Sequence, residues 1–309
     1  MTVIRWGKQA GKQRFNCKNC GIYFTRNDPD QRLENRFIWF RKWILERQTF
    51  KTLSRDSGLS KDTLQKTFYA FLKQFPEVKV LKRKNVHLRV DATYFKQFCM
   101  LSYQDNDDGY TQLIRFSDGE HFEEIKEDLD NLIKLGLQID SITTDGHKSI
   151  LKAIKKSIPD VLVQRCLVQI QRMCLLWLTR FPKHPAGIEL RRLVLLLLKI
   201  KTNNDRLYWT RELEQWYTIH KPYLQQKTFH QQSGTYSYTH KLLRRSYSVI
   251  KRALPNMFHY LSNPQIPSTT NGIEGFFSHL KNHLDLHRGL TVEHRINFIK
   301  WYVYLSNNK

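Results

Sequence analysis

Three acidic residues, far apart along the chain, have the types and settings of a metal-dependent catalytic site. Asp91 interrupts the strand-like run HLRVDATYF, and a strand interior disfavours a carboxylate that serves no purpose there. Asp145 follows a second strand-like run, and Glu274 lies in the first turn of a helix that Thr-Thr-Asn opens. Two acids on strands and one on a helix suit the placing of divalent metal ions against a phosphodiester. These residues therefore predict metal-dependent phosphodiester cleavage.

Some of the acids also have a purely structural interpretation. Asp145 precedes a glycine, which is typical of a strand-end cap, and a first-turn glutamate complements the helix dipole. Asp105, Asp107 and Asp108 are more densely spaced, but around Asn and Gly they are ordinary turn residues and lack the other ligands of a calcium loop. The mid-strand position of Asp91, taken together with Asp145 and Glu274, favours the catalytic interpretation.

The elements that must position the two aspartates are predicted between residues 81 and 165. Alternation of apolar residues predicts strands, and apolar residues at helical spacing predict helices. The predicted strands cover 87–95, 98–103, 110–116, 137–144 and 161–163, and the predicted helices cover 121–135 and 147–157. This order is that of a ribonuclease H-like mixed α/β fold, in which the first and fourth strands are neighbours. Such a sheet would bring Asp91 and Asp145 together.

The charge is strongly positive and unevenly distributed, which points to a polyanionic partner. The net charge is +23, with +13 over residues 1–84, −4 over 85–165 and +14 over 166–309. The acidic middle segment holds both proposed metal-binding aspartates. Solvated lysines alone would explain the total but not this division. We therefore expect a nuclease-like core that DNA contacts from both sides.

Other global features narrow the class of protein. The five cysteines are too few for a disulfide framework in 309 residues, and the first residues have no apolar signal core. The longest aliphatic run, 193–198, is far too short to span a membrane. The expectation is a reducing, cytoplasmic location.

Residues 1–27 predict half of a zinc ribbon. Cys17 and Cys20 have the C-x2-C-G spacing of one zinc knuckle, whereas a structural zinc ion needs four ligands. No Cys or His precedes Cys17, so the hypothesis is either a start after the first knuckle or a relic of the site. The basic residues around it would contact phosphate without a metal ion.

Residues 28–80 predict a helix-turn-helix DNA-binding domain. Ser60 is the expected N-cap of its third helix, which turns Leu64 and Phe68 inward. The outer face carries Lys61, Gln65, Lys66 and Tyr69, and it suits a recognition helix in a major groove. A helical hairpin that merely packs is the alternative, and the basic charge of the segment favours DNA binding.

Residues 166–262 predict an all-helical insertion, and residues 263–309 return to the core with the helix of Glu274. The insertion's aromatic residues are expected to be mostly core, although one of them would be free to stack on an unpaired base at a DNA end. Arg244 and Arg245 lie on one basic helix and are predicted phosphate contacts. Lys281 shares a helix face with Glu274 and is assigned to DNA as well.

Three stretches of the chain resemble the bacterial insertion-sequence transposases related to the Mutator-like DDE superfamily, and the resemblance extends over nearly the whole length. These stretches are WGKQAGKQRFNCKNCGIYF at the front, VDATYF with TTDGHKSI in the middle, and TTNGIEGFFSHLKNHLDLHRGL near the end. The last is quite specific. Carried over residue by residue, the family's catalytic triad falls on Asp91, Asp145 and Glu274.

The resemblance implies a ribonuclease H-like core, an all-helical insertion before the last acid, and Mg²⁺ or Mn²⁺ as the cofactor. It also implies that the partners are double-stranded DNA, namely the terminal inverted repeats of the element and the target, and that the protein forms a homo-oligomer on DNA. The location that it implies is the cytoplasm of a bacterium, in association with the nucleoid. Two features depart from the family pattern. The upstream zinc pair is missing, and Gln169 stands where the family's C-x2-H motif has His. Glutamine donates a hydrogen bond but cannot carry a proton as imidazole does.

Two alternatives remain beside an active transposase. One is a decayed transposase that acts only as a DNA-binding protein, which Gln169 and the half knuckle favour and the acid triad opposes. The other is a general ribonuclease H-like nuclease, which leaves the helix-turn-helix unexplained.

Overall fold

The computed structural model describes residues 2–25 and 29–308. Their contacts divide the chain into two compact units, one formed by residues 1–77 with 280–309 and the other by residues 78–279. The division at 280 falls inside the predicted segment 263–309, and the predicted boundary at 27/28 lies outside the described residues. The five segment boundaries therefore stay predictions.

The first unit begins with a small antiparallel sheet in the order β1-β2-β3. Its strands are β1 (Val3–Gln9), β2 (Lys12–Cys17) and β3 (Tyr23–Thr25). The turn between β2 and β3 closes when the N–H of Gly21, at φ +70°, donates to the Cys17 carbonyl at 2.8 Å. Glycine adopts this left-handed conformation without steric cost, which explains why a glycine follows the second cysteine in the C-x2-C-G turn.

Three helices follow in the first unit: α1 (Pro29–Leu45), α2 (Phe50–Ser57) and α3 (Lys61–Lys73). The predicted N-cap of α3 is confirmed, because the Ser60 hydroxyl accepts from the Thr63 N–H at 3.2 Å. Gly58, at φ +69°, ends α2 and leaves a short connection to α3. Local capping chemistry alone thus fixes both ends of this turn.

The second unit is built on a five-stranded mixed sheet in the order β6-β5-β4-β7-β8. The strands are β4 (Val86–Tyr94), β5 (Cys99–Asp105), β6 (Thr111–Ser117), β7 (Ile139–Thr144) and β8 (Leu162–Arg165), and the helices between them are α4 (Phe122–Lys134) and α5 (Lys148–Ser157). β4, β5 and β6 pair antiparallel, whereas β4, β7 and β8 pair parallel. The predicted element order and the pairing of the first and fourth strands are confirmed.

The alternating residues of β4 explain how the sheet is anchored. Leu88 and Val90 are fully or almost fully buried in a cluster that also contains Ile125 and Leu129 of α4 and Ile154 of α5. Burial of each such side chain contributes about 1.5–3 kcal/mol. The central strand is thereby held firmly on one face by helices.

A buried ionic network ties β5, β6 and α4 together on the same sheet. The Asp128 carboxylate, with 4% of its side chain exposed, accepts from Tyr103 Oη at 2.9 Å and from Arg115 Nε and a terminal Arg115 nitrogen at 2.6–2.9 Å. Burial raises the pKa of Asp128, and its hydrogen bonds and ion pair with Arg115 oppose that rise. A buried carboxylate is tolerated here because it is fully partnered.

The rest of the second unit is mostly helical. It contains α6 (Leu167–Leu178), α7 (Pro185–Leu196), α8 (Asn203–Gln225), β9 (Lys227–His230), β10 (Thr235–Tyr238) and α9 (Lys241–Ala253). The prediction of an all-helical segment over 166–262 is therefore wrong at one place, where β9 and β10 form an antiparallel hairpin. The hairpin is almost entirely exposed, so no buried apolar stripe marked its strands.

Two tryptophans of this helical part pack in the core, as the sequence predicted. Trp209 and Trp216 are each 2% exposed, and their indole N–H groups donate to the carbonyls of Leu193 and Ala186. Buried indoles keep their polar atom partnered in this way. These two aromatics are therefore structural.

Two further helices complete the chain: α10 (Asn271–Leu284) and α11 (Val292–Asn307). α11 closes the core of the first unit, where Trp301 makes an edge contact with Phe40 and donates its indole N–H to the Phe71 carbonyl at 3.0 Å. Phe298 meets Trp43 at 5.1 Å between ring centroids. In the described part of the chain, no helix combines the length and the apolar character needed to cross a membrane.

His287 in the first unit should make stability depend on pH. Its ring lies 4.9 Å from Trp43, it is 8% exposed, and its Nε2 has no partner among the described residues. Burial, reinforced by nearby His283, lowers its pKa to about 4. The unfolded chain then binds an extra proton between pH 6.5 and 4, so stability is complete above that window and falls as the pH drops through it.

In the wild type, His287 should lower the free energy of unfolding at pH 4 relative to pH 7 by up to about 3 kcal/mol. We expect His287→Phe to remove this difference. Urea denaturation followed by fluorescence at both pH values measures the difference between variant and wild type. Equal pH slopes for the two proteins would show that His287 does not carry the effect.

Candidate active site

The strand register brings the two predicted aspartates to one place. β4 and β7 pair in parallel with Val90 beside Thr144, so the next residues along the two strands are Asp91 and Asp145. β4 is the central strand, bonded on its other side to β5. Asp91 is therefore positioned by the sheet itself, and Asp145 is the first residue after the neighbouring strand.

Asp91 is a buried carboxylate with a raised pKa. It is 7% exposed, and its Oδ1 accepts the N–H of Ala92 at 2.9 Å. Burial raises the pKa of Asp91 to about 7, and the charges of Asp145, Glu274 and Glu120 add to the rise. The ionised form of Asp91 is therefore costly in the protein without a bound cation.

The loop after β7 holds Asp145 by its backbone. Asp145 Oδ1 accepts the His147 N–H at 2.8 Å, so the strand-end cap that the sequence allowed is also present. Arg165, on neighbouring β8 and only 8% exposed, donates to the Asp145 carbonyl at 2.9 Å. Gly146 adopts φ +87°, and a Cβ there would overlap the Arg165 guanidinium. Only glycine permits this close approach.

Glu274 lies in the first turn of α10, and two residues of α6 hold its carboxylate. Gln169 Nε2 donates to Oε1 at 2.7 Å, and Arg172 donates to Oε2 at 2.7 Å. The Glu274 side chain is 24% exposed and Arg172 is 59% exposed. Gln169, which stands where the family pattern has His, is thus a direct hydrogen-bond partner of the third predicted acid.

Cys166 links the start of α6 to the start of α10. Its sulfur accepts from both the N–H and the hydroxyl of Thr270, at 3.3 Å each, and the Leu167 N–H donates to the Ser268 carbonyl at 3.0 Å. Thr270 is fully buried and precedes the helix of Glu274. The Cys and Gln of this motif therefore both act on the position of Glu274.

Glu120 is a fourth acid of the site that the sequence reasoning did not find. Its Oε1 accepts from Tyr94 Oη at 3.0 Å, and its Oε2 lies 3.2 Å from His147 Nδ1. Burial raises the pKa of Glu120, while the charge of His147 opposes the rise and that of Asp145 adds to it. The residue precedes a helix in an ordinary Asp-Gly-Glu turn, so only the fold shows its position beside the two strands.

Three or more His, Cys, Asp or Glu side chains positioned together to hold a metal ion do not occur among the described residues. The donor chemistry of Asp91 and Asp145 nevertheless fits Mg²⁺, because Mg²⁺ prefers carboxylate oxygens. A divalent cation would also offset the cost of ionising the buried Asp91. Glu274 has both oxygens bound to other side chains in this arrangement.

The predicted zinc residues lie at the end of β2 and in the turn after it. Cys17 is largely buried and Cys20 is exposed, and both are free thiols. Backbone N–H groups of Cys20 and Asn19 lower the pKa of the Cys17 thiol, which favours the thiolate that binds metal. Zinc binding by this pair stays a prediction.

The predicted DNA contacts differ in how accessible they are. Lys61 and Lys66 are exposed on α3, whereas Gln65 is half-buried and donates to Tyr69 Oη at 3.3 Å. On α9, Arg245 is exposed and Arg244 is half-buried; Lys281 of α10 is half-buried as well. Arg244 donates to the Leu224 carbonyl at 2.9 Å and lies 3.5 Å from the Tyr238 ring centroid, so it already has a structural role.

Comparison with known proteins identifies part of the chain. No curated protein matches it. Residues 67–193 match the family model of Mutator-family transposases. The matched stretch contains Asp91, Asp145 and Gln169, and it ends before Glu274. The resemblance seen in the sequence is therefore confirmed over residues 67–193, the stretch that matches a transposase domain of the Mutator family.

Proposed function

We propose that the protein is a DDE transposase that binds the ends of an insertion sequence and performs metal-dependent strand cleavage and strand transfer. The observation that carries the proposal is the parallel pairing of β4 with β7, which sets Asp91 beside Asp145. The family match over this stretch and the influence of Glu274 on Asp91 support it. The sheet order supports a ribonuclease H-like core with an insertion ahead of the last acid.

Asp91, Asp145 and Glu274 are the residues that would hold Mg²⁺ or Mn²⁺, which when bound activates water or a 3′-hydroxyl and stabilises the departing 3′-oxygen. The chain's own contribution is rigid placement. The N–H groups of Ala92 and His147 orient the two aspartates; Asp91 lies within β4, and Asp145 directly follows β7. Preorganised acids spare the site a reorganisation cost during the reaction.

Gln169 and Arg172 would set the orientation of Glu274. Arg172 balances its charge from an exposed position, and Gln169 directs one oxygen. Each carboxylate oxygen has two lone pairs, so Glu274 would be able to keep both hydrogen bonds while one of its oxygens contacts a cation.

The test is an assay of strand nicking and joining with the wild-type protein, on DNA that carries an element end. We expect Mg²⁺-dependent products that end in a 3′-hydroxyl, and joining of those ends to target DNA. Nicking that is equally fast in excess EDTA, or joining that never occurs at any Mg²⁺ or Mn²⁺ concentration, would contradict the proposal.

The N-terminal helices are proposed to bind the element end through α3, as a helix-turn-helix does. Replacing Lys61 and Lys66 by Ala should weaken binding to end-sequence duplex and reduce the salt slope by about 1 for each lost phosphate contact. Electrophoretic mobility shifts over a range of NaCl concentrations measure both quantities. Lys73→Ala, at the exposed far end of α3, is the matched control. Unchanged affinity in the double variant would remove the assignment.

A second candidate function is a DNA-binding protein that has lost catalysis. It is favoured by Gln169 in place of His and by the binding of both Glu274 oxygens to other side chains. This candidate predicts wild-type duplex binding without cleavage at any Mg²⁺ concentration. It also predicts that Asp145→Asn leaves every measurable property unchanged except stability.

A further inference from the structure

The helical part of the second unit contains a cavity of about 310 Å³ whose walls are aromatic and basic. It lies where the end of α6, the start of α7, the end of α8 and the start of α9 meet. Trp177, His184, Tyr223 and His240 contribute rings, and Lys183 with Lys241 contributes positive charge. None of the described residues that line the cavity is acidic. A site of this composition fits a flat, anionic ligand.

One wall is a prebuilt stack of three rings. Tyr223 lies between His184 and His240, with centroid separations of 3.6 Å on each side and interplanar angles of 3° and 21°. His184 accepts the Ala186 N–H, and His240 Nε2 lies 2.9 Å from Gln226 Oε1, so both outer rings are fixed. A rigid aromatic wall stacks a base with little loss of side-chain entropy.

The cations stand where a phosphate next to a stacked base would need them. Lys183 and Lys241 are exposed at the rim. The guanidinium of Arg245 lies 4.4 Å from the ring centroid of the half-buried Trp177. This cation–π contact places a further positive charge at the end of α6. Lysine and arginine beside aromatic rings is the combination used to bind single-stranded nucleic acid.

Neighbouring segments extend the same chemistry. Phe181, next to the cavity-lining Pro182, is 80% exposed, and on the hairpin Phe229 and Tyr236 are 48% and 69% exposed. The hairpin joins the two helices whose ends line the cavity. Phe229 and Tyr236 pack against each other at 4.9 Å between ring centroids, and their exposed faces are available to stack on bases next to the cavity.

We propose that this cavity binds an unpaired nucleotide of DNA, with the base against the Trp177 and His184 rings and the phosphate at Lys183 and Lys241. The proposal rests on the proposed function, since strand cleavage at element ends exposes unpaired nucleotides. A duplex is too wide for a cavity of this volume, so duplex contacts belong elsewhere. The sequence allowed one stacking aromatic without indicating which; the cavity assigns that role to Trp177 and its neighbours.

The first experiment maps the contact directly. Full-length protein in EDTA is irradiated with a short single-stranded oligonucleotide containing 5-iododeoxyuridine, which cross-links to aromatic side chains it stacks on. We expect mass spectrometry to find the adduct on the peptide of Trp177 or that of His184. Adducts confined to peptides outside residues 177–184 and 223–243 would overturn the proposal.

The second experiment separates base from phosphate. Fluorescence anisotropy in EDTA compares a dT hexamer with a hexamer of abasic sites, and we expect wild type to prefer the dT hexamer by at least about 10-fold. Trp177→Leu should abolish this preference, and Trp177→Phe, which keeps a ring, should retain most of it. Lys183→Glu with Lys241→Glu should weaken both ligands at least about 10-fold. No preference in wild type would overturn the proposal.

The matched control is Lys155→Glu with Lys156→Glu, an equal charge change at exposed positions of α5. If this control variant lost as much affinity as the variant of the cavity lysines, the loss would be explained by net charge alone, and the proposed site would be overturned. Cleavage is scored separately. If the protein shows the base preference but does not cut DNA, the cavity proposal stands and the proposed function fails. If it cuts DNA but shows no base preference, the proposed function stands and the cavity proposal fails.

Discussion

Asp91→Asn should abolish strand cleavage, lowering the rate by at least about 10³-fold, because a lost metal ligand forfeits several kcal/mol of transition-state stabilisation. Asparagine keeps the size of the side chain and one acceptor oxygen, so the β4 backbone is undisturbed. Single-turnover nicking of end-containing DNA at saturating Mg²⁺ measures the rate.

The same substitution should raise the melting temperature of the metal-free protein. Burial and the charges of neighbouring acids make ionised Asp91 costly, and asparagine removes that cost. Lost activity with gained stability is the expected pattern for a residue kept for function. Asp107→Asn, an exposed turn residue of the same unit, should change neither quantity. Cleavage at the wild-type rate by Asp91→Asn would refute the assignment of the site.

Arg115→Leu should destabilise the second unit by about 3–5 kcal/mol, because it leaves the Asp128 carboxylate buried without its cation. Asp128 is 4% exposed and receives three hydrogen bonds of 2.6–2.9 Å from Arg115, so water cannot replace them without opening the sheet. Urea denaturation gives the free energy of unfolding, and the melting temperature should fall by roughly 10 °C.

An apolar replacement of the whole network tests this explanation. The combination Arg115→Leu, Asp128→Leu and Tyr103→Phe removes every polar partner at once and should recover most of the lost stability. Lys126→Leu breaks the more exposed i,i+4 pair with Asp130 on the same helix, and it should leave the stability almost unchanged because water screens this pair. If the triple variant were as unstable as Arg115→Leu, lost packing and not the stranded charge would be the cause.

Much of the core and two of the site's acids could be predicted because their signals are local and agree with one another. Val86, Leu88 and Val90 alternate along β4, and such a pattern leaves few alternatives for which face is buried. An aspartate in that strand is locally unfavourable, which marks it as functional. Once the element order is known, the topology predicts that β7 is the parallel neighbour of β4. The acid at the end of β7, Asp145, is then predicted to lie beside Asp91.

The remaining features depend on contacts between distant residues or on weak local patterns. Glu120 approaches His147 across 27 positions of sequence, and Gln169 meets Glu274 across 105. Nothing in their local sequence favours these partners over others. The hairpin does have a weak strand pattern in the sequence. Threonine and aromatic residues, which favour strands, stand on both sides of Gly234: Thr228, Phe229, Thr235 and Tyr236. The long helical patterns before and after this short stretch obscure it.

The discontinuous first unit has a consequence for synthesis of the protein. Phe40 and Trp43 are made before residues 78–279, whereas the residues that cover them, Phe298 and Trp301, are made after that segment. Translation of the intervening residues 78–279 takes roughly 10–40 s at ordinary rates of elongation. During that interval the nascent chain presents an uncovered aromatic surface, so the yield of native protein should depend on how well the cell shields it until α11 has been made.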